Sequence, residues 1–163
     1  MSNRITDVMT RAVVTLDPDM TLTEVDRVLL SYGVSGGPVV EDDVVVGVIS
    51  RSDIVRTLYA EQAQASKVSG YYTSPFPIPI PALEHLAQDT RRIADHMIKR
   101  KVREIMSRDV RAVAPDDDLR AVAVLMAREG FHRMPVLDGG KLVGIVTSLD
   151  LVRRIGEVGL AEA

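Results

Sequence analysis

Cysteine is absent from the 163-residue chain, which excludes disulfides, zinc–thiolate sites and a cysteine nucleophile. No apolar run approaches the ~20 residues that a membrane helix needs. The opening MSNRITDVMT lacks the apolar stretch of a signal peptide. Charge of one sign is also scarce: 20 Lys and Arg against 23 Asp and Glu leave −3, with a pI near 5.6. No overall pull toward nucleic acid or acidic membrane follows. The three histidines, at 85, 96 and 132, accompany no G-x-S-x-G, no P-loop and no metal-ligand cluster. These absences point away from an enzyme and predict a cytoplasmic protein that acts by binding. With 46% hydrophobic and 26% charged residues, the chain is globular in composition. It is long enough for one ordinary domain or two small ones.

What the chain does contain is a duplication. Met9-Thr10 returns as Met106-Ser107, Pro18-Asp19 as Pro115-Asp116, and Leu22 as Leu119. Gly33 returns as Gly130, Pro38-Val39 as Pro135-Val136, Gly47 as Gly144, and Asp53 as Asp150. Every pair lies 97 positions apart (Met106 against Met9), so the copies align without a gap. The expected division is repeat 1 over 1–60, a linker over 61–100 and repeat 2 over 101–163.

Each copy predicts the same β-α-β-β-α order. An extended piece (AVVTLDP, VRAVAP) leads into an amphipathic helix. The first helix carries a Thr21/Glu24 capping box and a face of Leu22, Val25, Val28 and Leu29. The second is capped by Asp118 and repeats the face with Leu119, Val122, Leu125 and Met126. Gly33 and Gly130 stand where a helix should stop. Two β-branched runs follow, joined by Glu41-Asp42-Asp43 and by Asp138-Gly139-Gly140, and a second helix covers 52–58 and 149–155. A unit this small leaves faces uncovered, so the copies should pack together. Between them, SGYYTSPFPIPIPAL favours an extended path. A helix is expected from about Leu83 to Lys101, with Leu86, Ile93 and Met97 on one face, serving as a packed linker or as an output element. His85 and His96 are about 16 Å apart along that helix and cannot share a metal. Acids interrupt the basic run Arg91-Arg92, Lys99–Lys101 and Arg103, and no aromatic is close enough to stack bases, so a solvated face is expected there rather than nucleic-acid binding.

The chemistry concentrates where strand turns into helix, at GVISRSD (47–53) and GIVTSLD (144–150). A hydroxyl followed three residues later by a carboxylate is what a helix cap requires. The same pair suits a ribose: the helix start offers N–H donors and partial positive charge, and a carboxylate accepts both hydroxyls of a 2′,3′-diol. Ser50 with Asp53, and Thr147 with Asp150, are therefore candidate ribose holders as well as caps. The two carboxylates belong to separate copies, which makes a two-carboxylate hydrolase unexpected.

These doubled elements, with DVMT and EIMS, and GGPVV and HRMPV, resemble tandem CBS domains, named from cystathionine β-synthase, a pair of which forms a Bateman module. The resemblance spans nearly all the chain outside 59–100. It implies an α/β (α+β) fold of two repeats about a pseudo-twofold axis, commonly a homodimer. It further implies a regulatory sensor of adenosine-containing ligands: AMP, ADP or ATP, or sometimes S-adenosylmethionine or NAD; the residues themselves predict no metal, and the protein target is unidentified. In such modules each cleft joins the ribose group of one repeat to the segment before the proline of the other. That pairs Ser50 and Asp53 with Phe131, His132 and Arg133, whose guanidinium and imidazole suit phosphate. Thr147 and Asp150 are paired with Val34, Ser35 and Gly36, which bring no cation. Thr6, in the opening block, is expected near the adenine. The rival reading is a constitutive dimerisation scaffold with vestigial clefts.

Overall fold

The computed structural model describes residues 3–59, 70–73 and 99–159. In chain order the elements are α1 (Leu22–Ser31), β1 (Gly36–Glu41), β2 (Val44–Ser50), α2 (Arg51–Tyr59), α3 (Gly70–Thr73), α4 (Val102–Ile105), α5 (Leu119–Glu129), β3 (Arg133–Asp138), β4 (Lys141–Thr147) and α6 (Ser148–Val158). A 3-10 turn at Ile5–Asp7 precedes them. Helices and antiparallel hairpins thus alternate in the mixed α/β manner expected.

Local chemistry explains the elements. Thr21 Oγ1 accepts from the Glu24 N–H at 3.3 Å, and the Glu24 carboxylate accepts the Thr21 N–H at 2.7 Å. These bonds satisfy donors that the start of α1 would otherwise leave free, and the Thr21 N–H, with the Thr21 hydroxyl, holds the Glu24 carboxyl below its ordinary range. Asp118 caps α5 by accepting from the Ala121 N–H at 2.9 Å. Leu22, Val25 and Leu29, and their counterparts Leu119, Val122 and Met126, are buried. Both hairpins close through two residues of positive φ, Asp42 and Asp43 (49° and 64°) and Gly139 and Gly140 (56° and 85°), the turn geometry that matches strand twist. Both also carry a register shift at the same place, Val39/Val40 and Val136/Leu137. The extended lead-ins contribute one parallel bridge each, Leu16 to Val39 and Val113 to Val136, rather than full strands.

Two compact units emerge, and neither is one sequence copy. One comprises 1–13 with 111–163, the other 14–110. Each copy's opening block therefore lies in the unit built on the other copy's hairpin. In the first unit, Thr6 N–H donates to Pro115 O (2.8 Å), and Thr10 and Ile145 exchange a pair of 2.9 Å bonds. In the second, Arg103 N–H donates to Pro18 O (3.0 Å), and Ser107 and Val48 exchange a pair of 2.9 Å bonds. The second unit's core joins Leu22, Val25, Leu29, Val39, Ile49 and Ile54 to Val102 and Met106 from the opening block. Ile5 and Met9 are likewise buried in the first unit.

The twin glycines make this approach possible. A Cβ on Gly144 would lie 2.7 Å from Met9 Sδ and 3.0 Å from Thr10 O; one on Gly47 would lie 2.7 Å from Met106 Sδ and 2.9 Å from Ser107 O. Salt bridges fasten the second unit further. Arg103 meets Asp19 at 2.9 Å and Glu41 at 3.2 Å, and Lys101 meets Asp19 at 3.6 Å. The hydrogen bond from Arg103 holds the exposed Asp19 carboxyl below its ordinary range. This part of the basic run is thus neutralised by acids.

The linker departs from expectation at both described ends. Gly70–Thr73 is a helical turn rather than extended chain. Its prolines begin only at Pro75, and Tyr71 and Tyr72 are buried edge to face with ring centroids 5.0 Å apart. The helix expected to reach Lys101 stops earlier, because Lys101 is bridged to Thr21 and Arg100 O accepts the Leu22 N–H at 3.1 Å. Leu86, Ile93, Met97, His85 and His96 lie outside the described residues.

Gly144→Ala should destabilise the protein by about 1–3 kcal/mol through overpacking against a backbone oxygen, read as a lower urea midpoint. Asp43→Gly should stabilise it by about 1 kcal/mol, read as a higher midpoint, because it relieves a left-handed residue without removing a buried contact.

Candidate functional site

Ser50 ends β2 and is fully buried, and Asp53 sits in the first turn of α2. Asp53 Oδ2 accepts from Ser50 N–H at 2.9 Å and from Ser50 Oγ–H at 2.7 Å, and Asp53 N–H donates to Ser50 Oγ at 3.2 Å. The second copy repeats this at Thr147 and Asp150 with 2.8, 2.7 and 3.3 Å. Both junctions are therefore complete capping boxes, each using one carboxylate oxygen. The other, Oδ1, lies 3.7 Å from Arg56 Nη2 in the first copy and 3.4 Å from Arg153 Nη1 in the second. A carboxylate oxygen has two lone pairs, so a cap bond and an arginine contact can coexist on one carboxylate. Capping fixes the carboxylate in place and is compatible with ligand binding.

Hairpin register decides what surrounds each junction. In the second unit Gly36 pairs opposite Ser50, and Ser35 O accepts the Arg51 N–H at 2.9 Å. Val34 precedes them and is half-buried. Among the described residues, Ser35 Oγ is buried with no hydrogen-bond partner, an omission that costs about 1–3 kcal/mol in a closed core. In the first unit Arg133 pairs opposite Thr147, His132 O accepts the Ser148 N–H at 3.0 Å, and Phe131 is buried. Thr6 belongs to that unit, with its hydroxyl 3.1 Å from Arg11 Nη2. Register thus gathers Val34, Ser35, Gly36, Ser50 and Asp53 in one unit, and Phe131, His132, Arg133, Thr147 and Asp150 in the other. The pairing drawn from the resemblance joins residues of different units.

Two features stand outside the residues singled out in the sequence. Arg56 and Arg153 are another pair in the 97-residue register, each meeting Oδ1 of its aspartate. Asp26, on the buried stripe four residues after Leu22, receives Arg51 Nε at 2.8 Å in a buried ion pair. A carboxylate at a core position of an amphipathic helix was the available signal. Among the described residues, no three His, Asp or Glu are placed to hold a metal ion, and no helix is long and apolar enough to cross a membrane.

Known proteins bear on this arrangement directly. The CBS domain matches at residues 5–60 and again at 102–157. The uncharacterized protein MJ1426 of Methanocaldococcus jannaschii is 32% identical over 159 residues, covering 93% of this chain and 90% of its own. The solved structure of MJ1225 from the same organism aligns with TM-score 0.71 and 25% identity over 94% of this chain. The chain spans about half of that structure, 48% of its length. CBSX2 of Arabidopsis thaliana, solved in complex with AMP, shares the fold with TM-score 0.68 at 22% identity, over 95% of this chain and 97% of its own. With both copies matched and a relative similar over nearly its whole length, the chain belongs to the CBS domain family as a tandem pair.

Proposed function

We propose that this CBS pair is a regulatory sensor of adenosine-containing nucleotides (AMP, ADP or ATP) that signals to a protein target and has no catalytic activity of its own. The observation that carries it is the doubled strand-to-helix junction, in which a capping box holds a carboxylate in one pose twice over. In this reading Asp53 and Asp150 accept ribose hydroxyls, and Ser50 and Thr147 hold those carboxylates in place. His132 and Arg133 supply donors to phosphate beside buried Phe131. Val34, the buried Ser35 hydroxyl and Gly36 line the site without a cation, and Thr6 lies near the adenine. The AMP found with CBSX2 supports the ligand class. Ligand signals by favouring one arrangement of the repeats over another, and can shift a partner's affinity only by its differential binding to the two.

The protein is also proposed to act as a homodimer through α6. Leu149 and Val152, on one stripe of that helix, are 64% and 63% exposed, while Asp150 is buried. Arg153 and Glu157 flank the stripe, both exposed and of opposite sign. A second copy laid antiparallel brings each arginine toward the other's glutamate.

In a thermal-shift series with AMP, ADP, ATP, S-adenosylmethionine and NAD, an adenine nucleotide at a hundred times its Kd should add about 2.7 kcal/mol of stability. A preference for S-adenosylmethionine or NAD would reassign the ligand, and no shift at millimolar concentration favours the scaffold reading. Asp53→Asn and Arg133→Ala should each weaken AMP about tenfold, a loss of about 1.4 kcal/mol, in titration calorimetry. Asp150→Asn should remove a second, separate binding event. Val152→Glu should convert a dimer to a monomer in sedimentation equilibrium, and a wild-type monomer would end the dimer proposal.

A further inference from the structure

The two junctions share one backbone arrangement and differ in one buried contact. Each starts its helix with the same capping box. Each sends the N–H of the residue after the hydroxyl to the carbonyl before the hairpin, Arg51 to Ser35 at 2.9 Å and Ser148 to His132 at 3.0 Å. In the first copy that residue also carries a guanidinium, folded beneath α1 onto Asp26 with side-chain exposures of 5% and 11%. In the second copy the same two positions hold Ser148 and Ala123. The junction therefore forms without the ion pair, as the second copy demonstrates. Burying two charges is costly, and such pairs are weak sources of stability.

We infer that Asp26 and Arg51 are a positioning pair for the first copy's ligand group: they lock the start of α2 to α1, so that Ser50 and Asp53 are preset for ligand and α1 responds to their occupancy. Arg51 lies between Ser50 and Asp53 in sequence, its N–H holds the carbonyl of Ser35, and its side chain holds α1. A displacement at the carboxylate therefore reaches α1 through one residue. The second site has no such tether. The inference rests on the nucleotide reading for its ligand and on geometry alone for its tether.

The test uses the full chain. Asp26→Asn alone takes away the carboxylate that meets a buried guanidinium at 2.8 Å and is expected to fold poorly. The informative variant is the double replacement Asp26→Ala with Arg51→Ser, which installs the second copy's residues and removes both charges of the pair together. Two readouts are taken: amide exchange at the backbone N–H of position 51, with that of Ser148 as internal reference, and AMP titration in an Asp150→Asn background that reports the first site. Faster exchange at position 51 with Ser148 unchanged, together with about tenfold weaker AMP binding, is the expected result. Retention of AMP affinity by Asp26→Glu, which keeps the charge, would further support it. Unaltered exchange at position 51 overturns the tether, and unaltered AMP affinity in the double variant overturns the positioning role. If the parent chain binds no AMP, the nucleotide reading fails, and the exchange measurement still decides the tether.

Discussion

The whole structure hangs on a backbone pair made twice. Thr10 trades hydrogen bonds with Ile145, and Ser107 trades them with Val48. Each pair sits against a glycine that lets a methionine and a carbonyl come closer than any side chain would allow. Through it each hairpin gains a segment from the other copy, whose Ile5 and Met9, or Val102 and Met106, become part of the buried apolar set. Without that segment, a helix pair on a two-stranded hairpin would leave its apolar faces in water, a cost that small units cannot carry.

Placed on that frame, the capping boxes do two jobs with one set of atoms. The helix start needs an acceptor for its first N–H groups, and a carboxylate three residues on provides the reciprocal bond. Once pinned by two bonds to Oδ2, the same carboxylate has a fixed orientation for Oδ1. A ligand meeting such a group loses less freedom in binding than one meeting a mobile side chain. Structural and ligand roles are thus successive consequences of one hydrogen-bond arrangement.

The copies have diverged around an unchanged junction. The first copy buries an ion pair between its helices, Asp26 with Arg51; the second has Ala123 and Ser148 at those positions. The second instead carries Phe131, His132 and Arg133 where the first has Val34, Ser35 and Gly36. Their hairpin turns share a conformation, yet one is built from glycines and the other from two aspartates held at positive φ. Divergence in side chains with constancy in backbone is what duplicated units show when the fold constrains one and binding the other.

Much of this was legible in the chain. The duplication, helix caps, hairpins and both hydroxyl–carboxylate junctions follow from local rules: cap bonds span three residues, turns span two, and the apolar stripe repeats within a helix. The ligand-facing use of those junctions was legible only through the resemblance, since a cap and a ribose site share one spacing. Three things were decided by tertiary structure. The compact units exchange their opening blocks, which no local pattern encodes because the partner lies about a hundred residues away. Tyr71 and Tyr72 form a buried turn in a stretch whose prolines suggest extension, because burial outweighs a weak local preference. Asp26 finds Arg51 across 25 positions, and only the packing of α1 beside α2 explains a carboxylate on an apolar face. Sequence determines what short-range hydrogen bonds and periodicity can specify; long-range pairing belongs to the fold, because its energy exists only once distant segments have met.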